Sequence, residues 1–149
     1  MPIPAIYNGY ITDPAKEQSG ITKDFGDFVI TAARAGGSNE AYGRIMAELY
    51  LPYEQVMALD EMPDDKAREL WYIGVARTVI KGWWFKDKSA VGGLVAGLGL
   101  DENGEVVPAT EENIVELFKA AHELFIDIRT FAERRENYSR ANMQAAAKN

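Results

Sequence analysis

The sequence predicts a mainly α protein with a small β element: a compact bundle of three to four helices plus a short N-terminal strand or hairpin. Three observations carry that prediction. Apolar residues return at spacings of three and four through residues 42–50, 64–83 and 111–138, the period of an amphipathic helix. The segment DFVITAAR alternates instead, with Phe28, Ile30 and Ala32 on one side and Val29, Thr31 and Ala33 on the other. Between strand and first helix stands Gly36-Gly37-Ser38-Asn39, glycines to turn the chain and a short polar side chain to cap the helix beyond.

Taken in order, residues 1–20 hold Pro2, Pro4 and Pro14 with no helical period, and read as an extended N-terminal arm. Residues 21–138 read as a single globular, mainly helical domain. Its strand lies within residues 25–34, and the structural corner at 36–39 leads to a helix with the stripe Tyr42, Ile45, Met46, Leu49 and Tyr50. Pro52 interrupts that helix, and another turn or two comes over residues 53–59. Met62-Pro63-Asp64-Asp65 starts the next helix, because proline and early acids suit a first turn. That helix is expected over about residues 64–83, apolar on several sides and therefore central, ending in Trp83-Trp84-Phe85. A glycine-rich loop is expected over residues 86–97 and a small hairpin over 98–107, turning at Asn103-Gly104. Thr110 caps the strongest helix, about residues 111–138, whose stripe runs from Ile114 and Phe118 through Phe125 and Ile128 to Phe131. Residues 139–149 lose the stripe and read as a polar, frayed tail.

Composition narrows the function. The chain has 149 residues, enough for one domain with a core, and its 47% apolar and 26% charged residues are those of a globular protein. A net charge of −7 at pH 7 leaves no basic surplus for a phosphate backbone, so no nucleic-acid partner is expected. There is no cysteine, which excludes disulfides and thiolate metal sites. The longest weakly polar run, residues 90–100, falls short of the roughly 20 apolar residues that cross a bilayer, so no membrane partner is expected either.

No catalytic or cofactor site emerges. The string A-G-G-S-N-E lacks the lysine and glycine spacing of a phosphate loop, and Glu40 would repel an anion there. His122 is the one histidine, and the acid clusters at residues 61–65 and 111–112 sit at helix starts, where the dipole favours them anyway. The serines form no G-x-S-x-G elbow. The expectation is a non-enzyme without metal or cofactor. What remains for partners is the aromatic run Trp83, Trp84 and Phe85, read either as core plug or as the lip of a groove. The basic residues Arg134 and Arg135, with Arg129 and Arg140, read as a solvated helix face or a strip for an acidic partner.

The strings A-R-A-G-G-S-N-E-A-Y, Leu51-Pro52-Tyr53, Lys81-Gly82-Trp83, E-N-I-V-E-L-F (112–118) and L-F-I-D-I-R-T-F-A (124–132), in that order, resemble the tail assembly chaperones of long-tailed bacteriophages. The likeness spans roughly residues 28–138. It departs at Ala33-Arg34, where such proteins carry two basic residues, and at residues 90–100, which look like an insertion. The resemblance implies a helper in the host cell cytoplasm that binds the tape measure protein and helps recruit tail tube protein. It also implies a longer product made by ribosomal slippage, for which Ala147-Lys148-Asn149 permits the codons GCA-AAA-AAC. A homo-oligomer is possible, and a structural virion protein that self-assembles through its arm is the alternative.

Overall fold

A computed structural model describes residues 1–140; most of the segment expected as a polar tail lies outside the described residues. The chain is mixed α/β, which corrects the expected helical bundle: among the described residues there are six α-helices, and six strands in two sheets. In chain order these are α1 (Pro14–Ser19), β1 (Ile21–Asp24), β2 (Phe28–Ala32), α2 (Glu40–Tyr50), α3 (Glu54–Ala58) and α4 (Asp64–Thr78). Then come β3 (Ile80–Lys86), β4 (Leu94–Ala96), β5 (Gly99–Leu100), β6 (Val106–Val107), α5 (Glu111–Ala120) and α6 (His122–Glu133). The main sheet has the order β1-β2-β3-β4 with every neighbouring pair antiparallel.

Strands β1 and β4 add to the sheet where none was expected, β4 within the loop expected over residues 86–97, and two helical segments also depart from expectation. The helix expected over 64–83 stops at Thr78, and Ile80 to Lys86 form the long central strand β3. Val79, Ile80 and Trp83 continue a helical spacing, so the period alone extends the helix too far. The same residues are β-branched and aromatic, and they complete a sheet by pairing with β2 at Ile30↔Trp83 and Phe28↔Phe85. The helix expected over 111–138 is divided at Ala121, whose φ of −133° and ψ of 70° re-aim the chain between α5 and α6. A short 3-10 turn, Arg135–Tyr138, comes after α6.

Elsewhere local signals coincide with the structure. Thr110 caps α5, its hydroxyl accepting from the Asn113 N–H at 3.2 Å. The small hairpin is β5 against β6, its turn held by Asp101, whose Oδ1 accepts from the N–H groups of Asn103 and Glu105.

Cross-strand partners share a sheet face, so the register sorts the side chains. Phe28 with Phe85, and Ile30 with Trp83, face the helices, while Val29 with Trp84, and Thr31 with Gly82, face the other way. Under the first face, Ile30, Val75, Val79, Trp83, Ile114, Phe118, Phe125 and Ile128 form one buried cluster drawn from β2, β3, α4, α5 and α6. Residues 1–10 are exposed throughout and include a 3-10 turn, Ala5–Tyr10. Residues 11–17 dock, with the Asp13 N–H donating to the Tyr138 carbonyl and the Arg140 N–H to the Ile11 carbonyl.

Candidate partner-binding surfaces

The corner after β2 is a junction. Three successive backbone N–H groups leave the strand for three different elements: Ala33 donates to the Val79 carbonyl, Arg34 to the Glu17 carbonyl and Ala35 to the Ala132 carbonyl. Asn39 stands at the N-cap position of α2 but makes no side-chain cap bond. Its Nδ2 instead donates to the carbonyls of Arg34 and Thr78, tying the corner to the end of α4. Gly37 has a φ of 53°, and a Cβ there would collide with the carboxylate of Glu17. The corner therefore does hold an anion, the chain's own.

Glu17 is 1% exposed. Its Oε2 pairs with Arg34 Nη1 at 2.7 Å, and its Oε1 accepts from the Thr12 hydroxyl at 2.7 Å. Burial works to raise its pKa, but the bonds from Arg34, Thr12 and Ser38 and the charge of Arg34 outweigh it and hold the carboxyl below its ordinary value. Beside it, Tyr138 is fully buried and donates its hydroxyl to the Ala32 carbonyl at 2.7 Å; burial pushes its pKa up. Sequence reasoning missed Glu17 altogether. Its only local signal is an acid in the first turn of α1, where the dipole explains it.

The aromatic run is split by the pleat. Trp83 and Phe85 are buried, Trp83 lying against Phe28 and Phe118 with ring centroids 5.6 and 6.3 Å away. The Trp83 Nε1 finds no hydrogen-bond partner among the described residues. Trp84 points to the opposite face, where its ring lies across Gly82, the residue that leaves it room. That face also carries the hydrogen-bonded Thr22 and Thr31 hydroxyls and the Lys86–Asp24 ion pair at 2.8 Å. Of the three aromatics, Trp84 alone sits on the face turned away from the helices.

The basic residues divide as well. Arg129 lies over the Trp71 ring at 4.1 Å and pairs with Glu133. Arg135 lies over the Tyr10 ring at 4.1 Å and so helps hold the N-terminal segment. Arg134 makes no ion pair among the described residues and lines an open cleft of about 360 Å³. Lys23, Phe25, Asp127 and Phe131 line the same cleft; from the sequence Phe131 was expected in the core stripe of the last helix, and none of the four was named for a partner. His122 sits at the start of α6, its Nδ1 2.6 Å from the Tyr72 hydroxyl. Among the described residues no group of three or more His, Cys, Asp or Glu side chains is placed to hold a metal ion, and no helix is long and apolar enough to cross a membrane.

Residues 37–149 match the family described as YdaY prophage protein. The match begins inside the corner, so β1 and β2 lie outside it, although β2 supplies the strand on which β3 pairs. No curated protein and no solved structure matches the chain.

Proposed function

We propose a function from one premise: the chain belongs to the YdaY prophage protein family and is of phage origin. The protein is a tail assembly chaperone, non-enzymatic and acting in the host cell cytoplasm, that binds the tape measure protein and helps recruit tail tube subunits. The observation that carries this reading is the ordered series of strings from Ala33-Arg34-Ala35-Gly36-Gly37 to Phe131-Ala132 in a chain of phage origin.

Physical features support it. Ile6 is 80% exposed, and Ile3, Tyr7 and Tyr10 are exposed beside it, a set of apolar side chains available to a partner. Trp84 offers an aromatic ring on a sheet face that none of the buried cluster occupies. The test is a pull-down of the tape measure protein encoded in the same prophage by the full chain. Retention is expected, weakened by Trp84→Ala, and no retention at micromolar concentrations overturns the assignment.

The exposed N-terminal residues favour a second reading, a structural virion protein that self-assembles through them. Mass spectrometry of purified virions separates the two, since a chaperone is absent from the finished particle and a structural component is present in many copies. The codons of Ala147-Lys148-Asn149 give a further check: a slippery A-AAA-AAC heptamer with an overlapping downstream frame is expected.

A further inference from the structure

The cleft between β1 and α6 combines two independent features. The first is an open sheet edge: β1 ends the order β1-β2-β3-β4, and its outer side takes no backbone partner among the described residues. The second is charge. Lys23 on β1 and Arg134 just beyond α6 flank the cleft, and neither makes an ion pair within the described residues. Lys23 pairs with Ile30 in the register and so projects on the helix side of the sheet, toward α6. The floor is aromatic, Phe25 and Phe131 meeting edge to face with centroids 6.2 Å apart. Asp127 is the one acid on the rim, so the cleft keeps an excess of one positive charge on a chain whose net charge is −7.

We propose that this cleft is a docking site for an extended acidic peptide, which adds as a strand to the free edge of β1. One of its carboxylates sits between Lys23 and Arg134, and a neighbouring apolar side chain rests on Phe25 and Phe131. Strand addition to a sheet edge supplies main-chain hydrogen bonds, and the groove beside the edge supplies selectivity through alternate side chains. A lysine and an arginine without an ion pair among the described residues, set against half-buried aromatic surface, fit a carboxylate flanked by apolar residues. A polyanion such as nucleic acid fits poorly, because Asp127 and the net negative charge oppose a run of phosphates. The cleft is distinct from the Trp84 face and does not depend on the tail role.

The test uses the full chain against an array of extended peptides of about eight residues in an alternating Thr-Val frame, with each residue type at the central position. Asp or Glu at the centre is expected to bind at least about tenfold more tightly than Asn or Gln, and the double variant K23E/R134E is expected to lose that preference. Both side chains are exposed, so the double variant should fold, checked by unchanged circular dichroism. The control R44E/K88E changes net charge equally at exposed sites outside the cleft and should retain the preference. Backbone amide shifts on peptide addition should centre on residues 21–25. The proposal is overturned by no binding anywhere on the array, by equal binding of acid and amide peptides, or by an equal loss in the control. A dimer of the chain that K23E/R134E abolishes would make a second copy the occupant and overturn it too.

Discussion

Strand β2 is held in two ways, and the contrast between them explains much of this molecule. Along its length Ile30 and Ala32 press into the apolar cluster under the sheet, against Trp83, Val79 and Phe118. At its end and just past it, Arg34 pairs with the buried Glu17, the Asn39 amide donates to the Arg34 and Thr78 carbonyls, and the Tyr138 hydroxyl donates to the Ala32 carbonyl. The first region depends on volume and tolerates any well-packed apolar replacement. The second depends on every partner being present, because a buried charge without its counter-charge is costly. Nature of contact, rather than number of contacts, decides which substitutions each region survives.

The largest effect should come from the apolar side. Phe118, fully buried among Tyr72, Trp83 and Phe125, should cost about 4 kcal/mol as Phe118→Ala in urea unfolding, and less than half of that as Phe118→Leu. Next, Glu17→Gln should cost about 3 kcal/mol, toward the low end for a broken buried pair because the Arg34 side chain keeps 20% exposure. If Glu17→Gln proved harmless, the corner would not depend on its buried ion pair and the contrast would fail.

Acid sharpens the contrast further. The folded carboxyl of Glu17 titrates below its ordinary value of 4.5, so its contribution is fully present above that value and drains away as pH falls through the folded value. Stability curves of the native chain and of Glu17→Gln should therefore converge as pH falls below 4.5, whereas Phe118→Ala should stay parallel to the native curve. Smaller still, Gly37→Ala should cost about 1–2 kcal/mol, from a left-handed φ of 53° and displacement of the Glu17 carboxylate. Trp84→Ala, half-buried on the face turned away from the helices, should cost about 1 kcal/mol while reducing partner retention.

Much of the local structure was legible. Thr110 before an amphipathic run, Asn103-Gly104 between apolar neighbours, and the alternation through Phe28, Ile30 and Ala32 each carry their own short-range cause, and each stands where expected. Strand β3 was hidden because Val79, Ile80 and Trp83 satisfy a helical spacing as a continuation of α4. Only the cross-strand contacts with β2 reveal the alternation that buries Trp83 and Phe85 and turns Trp84 outward. A cap from Ser38 or Asn39 is a local role, whereas the Asn39 amide spans to Thr78 on another element. The divide at Ala121 has neither glycine nor proline to announce it. Of the residues named for partners, Arg134 is exposed and Trp84 half-buried on the far face of the sheet, while Trp83 and Phe85 are buried and Arg135 lies over Tyr10.

By itself the sequence determined the segments whose signals act over a few residues: the strand at 28–32, the glycine corner, the capped helix at 111 and the small hairpin. It also carried the phage likeness, which depends only on residue order. Tertiary structure decided that residues 80–86 are a strand, that Glu17 fills the corner, and that Lys23 comes to face Arg134. The physical reason is common to all three. Sheet pairing, the neutralising of a buried charge, and the meeting of an edge strand with a helix end are set by residues far apart in the chain, and no local period or propensity encodes them.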